Sequence, residues 1–335
     1  MGAKKVMIKS FQEQKMLSII LITSVFILMI IPLFVGGYTR TLIQRSLLWI
    51  PPVFGVYILY SLLRQVHFAQ SIFIGIGSYL VAFLAGKYYF TNELLILIPV
   101  ALVLSIIIAS IIGIFLMRRT GFYFAVMGIA MTMVFWSIVC KAREITGGTD
   151  GISNIPNPNL LGVQLSNQGL YYVSVVISVL MILLMLRILN SPFSLQLRAI
   201  GGDIDKAESI GIPVKRMQRI AFVIAGSYAG ISGVLLAFTY NYVGPSNFDW
   251  QYGANFIQSA ILGGVNYFIG PIVGAFSFVT LDFFLSTWFP SFWEIITGLA
   301  IAIIVVTVGE EGITGLVKKF LSKISLEGKY KNDAK

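Results

Sequence analysis

Charge is scarce in this chain. Lys, Arg, Asp and Glu together occupy 11% of its 335 residues, against about a quarter in an ordinary soluble domain. Histidine and cysteine are scarcer still, with one of each, His67 and Cys140. A single cysteine excludes a disulfide framework within the chain, and one histidine beside it leaves no cluster for a His/Cys metal site. No GxxxxGK[ST] sequence occurs. The glycine-rich stretches Gly201-Gly202 and Gly309 to Gly312 lack the Lys-Ser/Thr pair that holds phosphate and magnesium, so no ATP hydrolysis is expected of the chain itself. No catalytic residue and no cofactor is expected either.

Apolar residues are what remain, at 57% of the chain. A spanning helix needs about 20 of them, so the supply allows about ten spans and leaves no sizeable domain outside the bilayer. The net charge of +10 then belongs to loops facing an anionic leaflet, since no basic folded surface is left to bind nucleic acid.

Apolar runs appear at Met16 to Val35, Ser46 to Leu63, Phe68 to Ala85, Leu94 to Met117, Phe122 to Cys140, Tyr171 to Leu189 and Ile220 to Phe238. The first follows Lys4, Lys5, Lys9 and Lys15. It is longer than a signal-peptide core and lacks a small-x-small cleavage site, so a retained anchor is expected. Between Ala254 and Leu316, breaks near Gly263 to Pro271 and at Pro290 predict a short or broken helix followed by two fuller ones.

Basic residues check this count, because Lys and Arg collect in cytoplasmic loops. With the N-terminus inside, alternation places 19 basic residues in the cytoplasm and 5 (Arg40, Arg45, Lys87, Lys141, Arg143) on the other side. The lysine-rich tail requires an even number of crossings. The expected fold is therefore an all-α polytopic bundle of about ten spans, eight being the alternative, with both termini cytoplasmic. It forms one domain over 1–335, with a cytoplasmic segment 1–15, a cytoplasmic loop 190–219 and a basic tail 317–335.

Ionisable residues within spans are the usual sign of an ion pathway. Asp282 is the deep carboxylate here, open to two readings: a polar contact between helices, or an ion-coupling site. The loop from Asn190 to Arg219 differs in character. Asp205 is placed to cap a short helix with Glu208 three residues on, and Gly211 followed by Pro213 ends it near Ile210. So short a helix is not stable alone. It is either a turn held by its flanking spans or a seat for a separate motor subunit.

These residues resemble a known family, the permease subunits of branched-chain amino acid ATP-binding-cassette importers of the LivM type. The resemblance rests on Leu197 to Ile212 (LRAIGGDIDKAESIGI) with Ala221 to Gly233 (AFVIAGSYAGISG), and on Gln65 to Tyr79 (QVHFAQSIFIGIGSY). It extends to Thr120 to Ala125, Thr146 to Ile152 and Leu262 to Pro271. It implies an ATPase-coupling loop carrying Arg198, Asp203, Asp205, Lys206, Glu208 and Gly211. It also points to a broken segment, with Gln65, His67, Gln70, Gly75 and Gly77 as candidates for the translocation path. The implied partners are a second, LivH-like permease, two ATP-binding subunits and an extracytoplasmic binding protein, in the cytoplasmic membrane of a bacterium or archaeon. Arg64, His67 and Ala69 depart from the family pattern of glycine, serine and glycine. Related permeases carry urea and short amides, so small polar solutes are the broader substrate expectation. The glycine pairs Gly226/Gly230 and Gly270/Gly274 are expected to bring helices close together.

Overall fold

The computed structural model describes Thr23 and residues 27–117 and 121–320. The segment 1–15, half of the Met16 to Val35 run, Arg118 to Thr120 and the tail beyond 320 lie outside the described residues.

Nearly everything described is helical, because in hydrocarbon only a helix satisfies its own backbone. The helices are α1 (Gly37–Tyr57, continued by a π-helical turn Ile58–Leu62), α2 (Gln70–Val81, continued over Ala82–Lys87), α3 (Leu94–Leu116), α4 (Phe122–Lys141) and α5 (Asn167–Leu189). Two short helices, α6 (Pro192–Gly202) and α7 (Ile204–Ser209), precede α8 (Val214–Tyr240), and α9 (Trp250–Gly263), α10 (Gly270–Trp288) and α11 (Trp293–Val308) complete the bundle. Seven of these, α1 to α5, α8 and α10, are long and apolar enough to cross a membrane. The seven correspond to sequence runs from Ser46 onward. Helix α9 is short, as the breaks near Gly263 to Pro271 predict; α10 is full length, whereas α11, expected to be a second full one, is shorter.

Three helices form the centre. The apolar windows of α1, α2 and α8 are 72–83% buried, against 22–33% for α3, α4, α5 and α10. Close approach depends on glycine: a Cβ on Gly77 in α2 would strike the Gly230 carbonyl of α8, and one on Gly233 would strike the Ile74 carbonyl. Gly226 packs on the Phe73 ring, and Gly274 lies against the Ser259 carbonyl of α9. The two glycine pairs are thus packing surfaces.

Polar side chains join the helices where the backbone needs them. Pro51 and Pro52 lie inside α1, and Pro51 has no N–H to offer the Leu47 carbonyl one turn back. The Ser178 hydroxyl of α5 donates to that carbonyl at 2.9 Å. The Gln44 amide donates to Ser174 of α5 at 3.2 Å and Thr239 of α8 at 3.0 Å, and the Trp49 indole donates to Ser259 at 3.0 Å.

At one end of the bundle, extended segments pair. β1 (Ile152–Ser153) runs antiparallel to β4 (Tyr242–Val243), and β2 (Asn159–Leu160) forms a hairpin with β3 (Val163–Gln164). Gly147, Gly148 and Gly151 all have positive φ in the turn leading into β1. At the other end, Gly264, just past α9, lies against the Glu311 carbonyl after α11, and the Thr314 hydroxyl donates to the Gly263 carbonyl at 2.6 Å. The C-termini of α9 and α11 therefore share one end of the bundle.

Candidate functional site

The link between α1 and α2 is the most irregular stretch in the core. Helix α1 unwinds through its π-turn, where the Gln65 N–H bonds the Leu59 carbonyl at 2.9 Å, and Arg64 sits at φ +56°. A left-handed residue there is what the family glycine would allow freely; Arg64 adopts it while its guanidinium pairs with Glu310 at 2.9 Å. Residues 65–69 then run back into the protein, with Gln65, His67 and Ala69 buried and Val66 and Phe68 partly so. The Phe68 carbonyl meets Gly253 of α9 and the Phe68 N–H meets Gly128 of α4.

Gln65, His67 and Gln70 are enclosed here, each at most 3% exposed. The Gln70 amide donates to the carbonyls of Ala225 (2.8 Å) and Pro52 (3.2 Å). The Oε1 atoms of Gln65 and Gln70 and both ring nitrogens of His67 have no hydrogen-bond partner among the described residues. The His67 ring lies between Phe124 of α4 and Phe222 of α8, with centroids 6.0 and 5.7 Å away. An unpaired buried polar group costs about 1–3 kcal/mol, so this cluster is an energetic burden on the conformation seen. Gly75 and Gly77 lie one and two turns further on: Gly75 faces the Phe248 ring and Gly77 the Gly230 backbone.

The 190–219 loop is a two-helix unit. Sequence reasoning anticipated the second helix and missed α6, whose Leu197 and Ile200 are buried against the bundle. The expected cap is corrected by two residues: α7 begins at Ile204, and Asp203, rather than Asp205, caps it, accepting from the Lys206 N–H at 3.1 Å. Asp203 wins because it alone has the extended backbone that aims a side chain back at the first turn. Its carboxyl is held below the usual range by the Lys206 N–H and ammonium, the latter at 3.0 Å. The expected ending is present: Gly211 sits at φ +84°, its N–H bonds the Glu208 carbonyl, and the Ile212 N–H bonds the Ala207 carbonyl, which is the paired geometry of a glycine-terminated helix. Asp205, Lys206 and Glu208 face outward.

This unit presses on the α1–α2 link. A Cβ on Gly201 would collide with the Leu62 carbonyl. Beside the contact is a cavity of about 330 Å³, lined by Tyr57, Ser61, Arg64, Arg198 and Asn266. Arg198, Gly201 and Arg64 thus meet in one place, though they come from segments far apart in sequence.

A second cavity, of about 360 Å³, went unpredicted. Gln251, Asn255 and Gln258 of α9 line it, opposite Glu294 and Thr297 of α11, with Trp250 and Trp293 at the rim and Phe278 of α10 in the wall. The signal was present in the sequence: three amides at i, i+4 and i+7 mark one polar stripe on a helix otherwise apolar.

Asp282 of α10 has Arg45 of α1 as its electrostatic partner, with Tyr240 and Tyr252 nearby. The Arg45 guanidinium lies 5.0 Å from the Tyr240 ring centroid. A carboxylate with a built-in countercharge fits a contact between helices better than a site that must take up and release a cation. Among the described residues no group of three His, Cys, Asp or Glu side chains is placed to hold a metal.

The family model described as "Branched-chain amino acid transport system / permease component" matches residues 38–307, the whole bundle from α1 to α11. The chain belongs to this family. With seven apolar helices, it is a multi-pass membrane protein. It is 26% identical to the high-affinity branched-chain amino acid transport system permease protein LivM of Escherichia coli, over 61% of this chain and 53% of that one. A probable branched-chain amino acid transport permease protein LivH of Methanocaldococcus jannaschii is 26% identical over 47% of this chain and 52% of that one. The xylose transport system permease protein XylH of Haemophilus influenzae is 29% identical over 38% of this chain and 36% of that one. The chain spans about half the length of the LivM relatives it matches. No solved structure matches.

Proposed function

We propose that the chain is the LivM-like permease subunit of an ATP-binding-cassette importer that carries branched-chain amino acids across the cytoplasmic membrane. Its partners in this reading are a LivH-like second permease, two ATP-binding subunits and an extracytoplasmic binding protein. The topology is ten crossings with both termini cytoplasmic: α9, α10 and α11 provide three, and the Met16 to Val35 run the first.

One observation carries the mechanism: the two-helix loop rests directly on the α1–α2 link through Gly201 and Leu62. An ATP-binding subunit that moves α6 and α7, by way of Arg198, Asp203, Asp205, Lys206, Glu208 and Gly211, would push on the segment holding Gln65, His67 and Gln70. The unpaired polar atoms of that segment favour a second arrangement in which water, solute or other side chains satisfy them. The permease does no covalent chemistry. It supplies two packings whose balance the ATPases shift, and the binding protein supplies selection.

The test is to purify the chain in detergent with what accompanies it and to reconstitute the assembly with leucine-loaded binding protein. ATP-dependent leucine uptake is the expected result. A Gly201→Val variant should assemble and hydrolyse ATP while uptake falls at least tenfold. Recovery of the chain alone, with uptake that needs no ATP, would overturn the reading.

A further inference from the structure

We infer that the cavity between α9 and α11 is the outward-facing solute site and that it recognises a zwitterionic α-amino acid with an aliphatic side chain, a reading that rests on the importer function proposed above. Three observations place the site. First, Gln251, Asn255 and Gln258 form a continuous stripe about two turns long, from the α9 N-terminus into the bundle. Amide side chains at such depth are tolerated only where they are buried in protein or line a water-filled space. The 360 Å³ cavity is that space. Second, α11 separates its faces. Ile295, Leu299 and Ile303, at i, i+4 and i+8, are all about 60% exposed and form an apolar stripe suited to lipid, whereas Glu294, Thr297 and Gly298 turn to the cavity. Third, the cavity opens where Trp250 and Trp293 start their helices, at the end of the bundle opposite the Arg64–Glu310 pair.

The lining specifies the chemistry. No Lys or Arg lines the cavity, and of its two carboxylates Asp249 is already used, accepting from the Gln251 N–H at 3.2 Å to cap α9. Glu294 has no ion pair among the described residues and stands in the first turn of α11. One available carboxylate suits one ammonium group. Glu294, exposed at the cavity, can pair the ammonium group, and the amides of Asn255 and Gln258 are donors for a solute carboxylate without adding a like charge beside it. Phe278, Ala254 and the two indoles offer apolar wall for an aliphatic chain. A sugar would gain no ion pair from Glu294, and a free carboxylic acid would meet it with like charge.

Cysteine chemistry tests this directly, because Cys140 is the sole native thiol. In a Cys140→Ser background within the complete transporter, Gly298→Cys, where a side chain meets open space, and, separately, Ala254→Cys are exposed in right-side-out vesicles to a membrane-impermeant charged thiosulfonate, with Ile303→Cys as the lipid-face control. Labelling of the two cavity positions and not of Ile303→Cys is expected. Millimolar leucine should slow labelling at least fivefold, 4-methyl-2-oxopentanoate, which lacks the ammonium group, should not, and adding Glu294→Gln should remove the protection by leucine. Absence of labelling at both cavity positions, or labelling that leucine leaves unchanged, would overturn the site. Equal protection by the keto acid would overturn the role of Glu294. ATP-driven leucine uptake by the Cys140→Ser transporter separates the two levels: uptake without protection overturns this site alone, and no uptake overturns the importer reading and the site with it.

Discussion

The Arg64 guanidinium lies 2.9 Å from the Glu310 carboxylate, so the left-handed residue that ends the α1 π-turn is tied to the segment just after α11. Both side chains are about half exposed. An exposed pair contributes about 0–1 kcal/mol, whereas a left-handed non-glycine residue costs about 1–2 kcal/mol. The two terms nearly cancel. Arg64→Gly should therefore keep thermal stability within about 1 kcal/mol of the parent chain, and Arg64→Ala, which keeps the backbone cost and loses the pair, should be the less stable variant. Melting curves of the purified complex decide it, and Arg64→Ala at or above Arg64→Gly would contradict the backbone argument.

Ser178 and Pro51 are coupled through the Leu47 carbonyl. Ser178→Ala should cost about 1 kcal/mol, in line with hydrogen bonds between membrane helices. In a Pro51→Ala background, α1 can supply its own N–H, and the same change should cost less than half as much. Equal costs in both backgrounds would mean that the hydroxyl does not replace the missing donor.

The α7 cap separates two neighbouring acids. Asp203→Ala should destabilise the loop and increase its hydrogen exchange, whereas Asp205→Ala should leave exchange near the parent value. The pH sign follows from the lowered Asp203 pKa: its contribution is present above the usual aspartate pKa and is lost as pH falls through the depressed one. Loop exchange in the parent chain should accordingly be flat from pH 7 down to about pH 4 once corrected for the intrinsic rate, and rise below that. Asp203→Asn, which retains an acceptor, should remove that acid rise while preserving most of the cap.

His67 is enclosed with neither ring nitrogen bonded among the described residues. Replacing it by leucine removes an unsatisfied buried polar group, worth about 1–3 kcal/mol in the conformation seen. His67→Leu should raise the melting temperature and lower the uptake rate together, because the alternative arrangement loses the partner that the imidazole would gain there. A faster or unchanged uptake rate would show that His67 has no role in the conformational cycle.

How much of this was legible in the sequence differs element by element. The spans of α1 to α5, α8 and α10 follow from apolar runs, since a backbone in hydrocarbon has one way to pair its donors and acceptors. The end of α7 at Gly211 follows from glycine stereochemistry, which is local. The cap at Asp203 does not, because Asp203 and Asp205 differ only in a backbone angle set by how α6 hands the chain to α7. Helix α6 was missed because its buried residues, Leu197 and Ile200, have partners only in the folded bundle.

By itself, then, the sequence determined that this is a helical membrane protein, where most helices run, and which family it resembles, because apolar length, loop charge and short motifs are local properties. Tertiary structure alone decided which helices are central. The most apolar span, α3, is only 28% buried, whereas α1, with its two prolines, is 83% buried. Lipid tolerates nothing but apolar surface, while the protein interior accepts Gly, Ser, Gln and Pro wherever neighbouring helices satisfy or exploit them. Hydropathy therefore finds the membrane and cannot find the core. It was contact across the sequence that placed Gly201 on Leu62, Arg64 beside Glu310 and an amide stripe of α9 against Glu294.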